Sequence, residues 1–262
     1  MITGKKESEH RFDFSPVKIT TGDLLSKAKK AYKREGLTYV LRMGLFIVLG
    51  YFLIYYYKTF KSSETFEFQR KKYHYFFHRY CTTWRNERAV VVPIIWDILN
   101  GSEDKSKNIL EVGNMLSYYF KVDHDIVDKY EIIDGVINED IVDFTPKKKY
   151  DIIFSLMSLQ CVGLYESPQE PRKFLRAIEN LKTMLAKGGQ ILIFHGLGES
   201  KEADELLKSG ALKFKKLFYL KRICGYNWKE VNGEDVKDLK YDFSIPTANG
   251  IVVGIIENNI IS

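Results

Sequence analysis

The chain has 262 residues, 45% of them hydrophobic, which excludes a disordered protein and allows one large domain, or a domain of about 180 residues with an appended segment. Its three cysteines, Cys81, Cys161 and Cys224, stand far apart, a pattern that excludes a disulfide framework and a zinc cluster and suits a reducing cytoplasm. The net charge of +6 is mild, with lysine and arginine dense in the first 80 residues.

In chain order, "LLSKAKKAYKREG" reads as an amphipathic helix. Leu24, Leu25, Ala28, Ala31 and Tyr32 share a face, and Gly36 is a C-terminal stop. "MGLFIVLGYFLIYYY", Met43 to Tyr57, carries no charge. As a helix its length is about 22 Å, short of the roughly 30 Å hydrocarbon core. Extension back to Leu37 reaches a spanning length and takes in Arg42. Tyr51 and Tyr55 to Tyr57 suit a headgroup-level belt, with Lys58 and Lys61 at the far end. Three readings stand: a helix lying in the membrane interface, a single span, or a helix buried against the domain or a partner. The stretch starts too deep for a signal peptide.

"ETFEFQRKKYHYFFHRY" alternates polar and aromatic residues, which predicts two short strands around a basic turn at Arg70 to Lys72. "TTWRNERAVVVPIIWDILN" predicts a helix capped by Thr82 or Thr83 and kinked at Pro93. From Lys107 onward "NILEVG", "DIVDKYE", "YDIIFSL", "GGQILIFHG" and "IVVGIIE" have buried-strand character, and Pro171 to Leu185 is a strong helix. That alternation predicts an α/β fold: a doubly wound, mostly parallel Rossmann-like sheet with helices on both faces. The expected partition is a membrane-associating segment over 1–60, a hairpin-like connector over 61–80 and the sheet domain over 81–262. In such a sheet, ligands bind beyond the carboxyl ends of the strands at the switch point.

The segments lining that point, "ILEVG", "IVDKYE", "INEDIVDF" and "KKKYDIIFSLMSLQCVG", with "AIENLKTMLAKGGQILI" behind them, together resemble the class I S-adenosylmethionine-dependent methyltransferases over roughly Asn108 to Glu257. The flanking "YHYFFHRYCTTWRNERAV" and "FYLKRICGYNWKEV" are similar to a subgroup associated with glycan and cell-envelope gene neighbourhoods. The resemblance implies S-adenosyl-L-methionine as cofactor, held by Glu111, Gly113 and Asn114 after the first strand and by Asp128, seventeen residues beyond Glu111. The resemblance also implies that Asp140 and Ile141 stand beside the adenine and that Ser155 begins the segment facing the methyl group. A dinucleotide fold needs further glycines to seat a pyrophosphate on a helix N-terminus. "GNMLS" lacks them, which speaks against a nicotinamide oxidoreductase more than against a cofactor without phosphate.

Where the subgroup shows "LEH" this chain has "LQC", so Gln160 and Cys161 replace an acid and a histidine. His195, ending "GGQILIFH", is then the base candidate, with Gln160 beside the acceptor. His78, Trp84, Arg85 and Arg88 are the candidate acceptor contacts, because a tryptophan beside arginines suits a sugar or an anionic headgroup. No metal ligand set is expected: "HYFFH" lacks the glutamate of a zinc-protease helix. The expected function is methylation of a glycan or lipid-linked acceptor at the cytoplasmic membrane face, by a peripheral or single-pass protein. The alternative is a membrane-associated scaffold that has lost catalysis. Nucleic acid is not an expected partner, since the basic residues adjoin an apolar segment rather than a groove.

Overall fold

The computed structural model describes residues 36–101, 106–170, 172–243 and 247–258; the basic amphipathic helix expected over 24–36 lies, Gly36 apart, outside them. Helix α1, Leu37–Phe60, extends beyond the uncharged run at both ends. Leu41, Leu45, Phe52 and Tyr55 on it are exposed, while its last turns are anchored. Tyr57 stacks on Trp84 at 5.6 Å and meets Tyr226 edge-on at 5.3 Å, and Arg79 lies 4.3 Å over the Tyr51 ring. Among the described residues, no helix is long and apolar enough to cross a membrane.

Strands β1, Thr65–Phe68, and β2, Lys71–His74, form a hairpin that turns at Gln69 and Arg70, so Lys71 and Lys72, expected in the turn, lie in β2. Phe66, Phe68, Tyr75, Phe76 and Phe77 are buried in the same core as the main sheet. Helix α2 begins at Arg88, not at the threonines, and runs through Pro93 to Asn100. Thr83 is committed elsewhere: its Oγ1 donates to the Phe76 carbonyl at 2.6 Å and accepts from His78 N at 2.7 Å. It therefore ties a tight turn over Tyr80–Arg85 to the hairpin.

The main sheet has eight strands: β3 Ile109–Val112, β4 Asp125–Val127, β5 Val136–Ile137, β6 Tyr150–Leu156, β7 Leu185–Gly196, β8 Lys216–Cys224, β9 Asn227–Val231 and β10 Gly250–Glu257. Their order is β5-β4-β3-β6-β7-β10-β8-β9. The five from β5 to β7 are parallel, whereas β10 runs antiparallel to both neighbours and β9 antiparallel to β8. The sheet is thus mixed, with the parallel strands in the majority. A parallel half wound about a switch point, with antiparallel strands beyond its last member, is a Rossmann-like arrangement.

Helices α3, Lys173–Met184, and α4, Lys201–Lys208, cover one face. There Phe174, Ile178 and Leu181 of α3 and Ala203 of α4 meet Leu110, Ile153 and Ile193 of the sheet. On the other face no α-helix connects β3 to β4, where a doubly wound sheet ordinarily has one. A single turn, Leu116–Tyr118, replaces it. Met115, Leu116, Tyr119 and Phe120 drop into the core against Phe76 and the α2 residues Ile94 and Ile95. The hairpin and α2 cover this face instead, because four bulky side chains in "NMLSYYF" favour burial over a glycine-rich turn.

Candidate active site

Order reverses between β3 and β6, so the loops after the two strands part there and leave a hollow at their carboxyl ends. A cavity of 240 Å³ lies at that point, bounded by Val112, Gly113, Val127, Asp128, Ile141 and Ser158, among others. Gly113 has φ +82, and a Cβ on it would stand 2.3 Å from Ser158 Cβ and Oγ. Only glycine lets the loop after β6 close against the end of β3.

Asp128, just past β4, has its carboxylate fixed by backbone amides. Oδ1 accepts from Tyr130 N at 2.8 Å and Glu131 N at 3.0 Å, and Oδ2 from Asn114 N at 3.3 Å. A carboxylate offers about four acceptor positions, so one on Oδ2 remains for a ligand hydroxyl. Asn114 lies behind this group, its Nδ2 bonded to Glu131 at 2.6 Å. It positions the loop and does not border the cavity.

Glu111 is a correction. The carboxylate is fully buried, with Oε1 accepting from Met115 N at 2.7 Å and Leu116 N at 2.9 Å and Oε2 bonded to His124 at 2.8 Å. It does the work of an N-cap for the single 3-10 turn Leu116–Tyr118. The side chains of Met115 and Leu116 are thereby drawn into the core, away from the cavity. Ser155 is a second correction: its Oγ donates to the Val112 carbonyl and accepts from Leu159 N, both at 3.0 Å. It laces β3 to β6 below the site.

Asp140 and Ile141 do border the cavity, with neighbours that no motif announced. Lys129 Nζ lies 2.9 Å from Asp140 Oδ2 and 3.0 Å from Glu166 Oε1. Lys173, only 5% exposed, meets the same carboxylates at 2.6 Å each. Burial pushes the Asp140 and Glu166 carboxyls up, but the lysine hydrogen bonds outweigh it and hold both below their ordinary values. A sequence signal for Lys129 existed in its place beside Asp128; Glu166 had none.

His195 is the third correction. It is 1% exposed, with Nε2 bonded at 2.7 Å to Asp204, whose other oxygen accepts from Gly198 N at 2.8 Å. Strand alternation turns it toward α4 rather than the carboxyl edge. Gln160 is equally buried and does not border the cavity, since its side chain is spent on Glu199 and Gly196 N. Cys161 does border it; burial, with Glu199 adding and Arg88 opposing, pushes its thiol up to about 12. Glu199, which sequence reasoning missed, sits 4.0 Å from that sulfur and accepts from Tyr165 OH at 2.9 Å.

The four acceptor candidates divide. Trp84 is 3% exposed and packs on Tyr57, so it anchors α1. Arg85 gives its carbonyl to Arg222 at 2.8 Å. His78 packs edge-on against Tyr119 at 5.1 Å, and burial, with Lys58 adding, lowers its imidazole to about 4. Arg88 lies in the electrostatic field of Glu87, Tyr119, Cys81 and Tyr80. Among the described residues, no group of three or more His, Cys, Asp and Glu side chains is arranged to hold a metal ion. A larger hollow of 530 Å³ between α4, β8 and the turn at Gly233 has an apolar floor and lies away from the switch point.

No protein-family model matches the chain, and no curated protein does. Its fold is similar to solved structures at low identity. The N-methyltransferase NodS from Bradyrhizobium japonicum, with S-adenosyl-L-homocysteine, is 14% identical over 58% of this chain and 78% of that one, TM-score 0.37. An rRNA methylase from Streptococcus thermophilus is 13% identical over 63% and 95%, TM-score 0.38. A TehB-like SAM-dependent methyltransferase from Corynebacterium glutamicum is 13% identical over 60% and 83%, TM-score 0.35.

Proposed function

We propose that the protein is an S-adenosylmethionine-dependent methyltransferase acting at the membrane surface on a glycan or lipid-linked acceptor. The observation that carries the reading is the cavity at the switch point, with Asp128 offering an acceptor position and Val112, Val127, Ile141 and Val162 offering apolar walls. Those residues suit a nucleoside without phosphate: a carboxylate for a ribose hydroxyl, a flat apolar slot for the base, and no phosphate-binding helix terminus. The bound cofactor supplies an electrophilic methyl group on a sulfonium centre.

The chain's own residues then hold and orient. Asp128 takes the ribose, Ile141 and Val162 flank the base, and Gly113 with Ser158 closes the end nearer the reaction. Alignment of nucleophile and methyl group is the main catalytic demand. For an acceptor that keeps its proton, Glu199 beside Cys161 is the proton-accepting group. The exposed apolar side chains of α1, next to the basic residues Lys58, Lys61 and Arg79, support docking on an anionic membrane surface.

A second reading, a scaffold without catalysis, is favoured by Lys129, whose bridge to Asp140 and Glu166 engages the carboxylate expected beside the base. Isothermal calorimetry with S-adenosylhomocysteine separates the two. Saturable binding lost in Asp128→Ala supports the methyltransferase; absence of binding at millimolar ligand leaves the scaffold.

A further inference from the structure

Glu131, in the loop after β4, does not itself border the cavity at the switch point. Both its backbone and its side chain nevertheless bear on Asp128, the carboxylate that does. The Glu131 amide donates to Asp128 Oδ1 at 3.0 Å, and Glu131 Oε2 accepts from Asn114 Nδ2 at 2.6 Å. Asn114 in turn donates its backbone N–H to Asp128 Oδ2 at 3.3 Å. These contacts close a ring of hydrogen bonds. Glu131 thereby ties the turn after β3 to the turn after β4, and each turn delivers an amide to Asp128.

The ring is held from outside as well. Glu131 Oε1 accepts from the Tyr118 hydroxyl, and the Tyr118 ring stacks on Tyr80 at 4.4 Å. Burial and the hydrogen bond to Glu131 push the Tyr118 pKa up, so the phenol keeps its proton and stays a donor. The Ser117 hydroxyl donates to Asn114 Oδ1 and so fixes which end of that amide faces Glu131. Asn138 Nδ2, just past β5, donates to the Glu131 carbonyl at 3.2 Å. The longest bond of the ring is the one to Oδ2, the oxygen that keeps an acceptor position for a ligand hydroxyl. A long bond aims weakly by itself, so the direction of that position depends on how firmly Asn114 is held.

We infer that Glu131 is a positioning residue for nucleoside binding. It sets the aim of the Asp128 carboxylate from outside the cavity, through Asn114 on one side and its own amide on the other. The inference rests on the methyltransferase reading in taking the ligand to carry ribose hydroxyls.

The test is calorimetry on the full chain with adenosine and with 2′,3′-dideoxyadenosine, which lacks the hydroxyls Asp128 accepts. Wild type should prefer adenosine by about tenfold or more, the worth of one hydrogen bond to a charged acceptor. Glu131→Ala should remove most of that preference and leave dideoxyadenosine binding unchanged. Tyr118→Phe, which keeps the stacked ring and loses the donor, should fall between the two. In an Asp128→Ala background, Glu131→Ala should change neither affinity further, because a residue acting through Asp128 has nothing left to aim. A role confined to stability predicts instead that both nucleosides weaken together and that the two substitutions add. Either of those results, or a preference kept in Glu131→Ala, overturns the inference and leaves the methyltransferase reading standing. Wild type that binds neither nucleoside nor S-adenosylhomocysteine sinks both. Should Glu131→Ala fail to fold, Tyr118→Phe decides by the same comparison.

Discussion

Gln160 Nε2 donates to Glu199 Oε2 at 2.7 Å, so the amide after β6 holds a carboxylate from the loop after β7 in place. Tyr165 fixes its other oxygen at 2.9 Å. Gln160→Glu therefore sets two carboxylates against each other. One of the pair is expected to have a raised folded pKa. A raised carboxyl contributes stability at low pH that is lost as pH rises from the unfolded value toward the folded one. The variant should be near wild-type stability at pH about 4 and lower by roughly 1–3 kcal/mol at pH 7. Urea denaturation at the two pH values checks this; a pH-independent loss argues against the contact.

Glu111 and Asp128 read alike in the sequence and separate in the structure. Glu111→Ala strands two amides and His124 in the interior and should cost about 3 kcal/mol of stability. Asp128→Ala also frees three amides, but at a half-buried rim, and should weaken cofactor binding by about 1–3 kcal/mol. Denaturation midpoints and calorimetry on both variants give the comparison. An Asp128 variant that binds normally refutes its role.

Gly113→Ala places a methyl group 2.3 Å from Ser158 and demands φ +82 of an L residue. The expected loss is about 1–3 kcal/mol, with cofactor binding impaired. Adding Ser158→Gly removes the clash but not the backbone strain, so the double variant should recover part of the loss. No recovery means the close approach is not what requires glycine.

His78 titrates at about 4 rather than 6.5 because burial, aided by Lys58, disfavours its cation. Between those values the unfolded chain binds the proton and the folded one does not, so stability should fall as pH drops from about 6.5 to about 4. His78→Asn should flatten that part of the profile. Thermal melts of both proteins across the window provide the measurement.

Leu45, Phe52 and Tyr55 are 61%, 70% and 71% exposed on α1. Replacing all three with serine should shift stability by no more than about 0.5 kcal/mol per site. Flotation with vesicles containing anionic phosphatidylserine should fall sharply. Unchanged flotation would falsify membrane docking through this face; lost folding would instead mean that the face is covered by protein.

The sheet strands were legible in the sequence because continuous apolar runs such as "YDIIFSL" and "IVVGIIE" are stable only between two covered faces. So was the place of the cavity at the carboxyl edge, since that follows from topology alone. Gly113, Asp128, Asp140 and Ile141 come together there as their places after successive strands require. The direction of each side chain was not legible. Glu111 and His195 lie in strands whose ends approach the site, yet both carboxylate and imidazole are taken by interior partners, Met115 and Leu116 amides with His124 for one and Asp204 for the other. Those partners lie on turns and helices whose placement depends on packing rather than on local pattern. The same holds for Glu199 and for the lysines around Asp140, charges from separate loops that only the folded chain brings within hydrogen-bonding distance. Local hydrophobic period determines strands; which polar group faces which is decided by the long-range contacts that desolvate them.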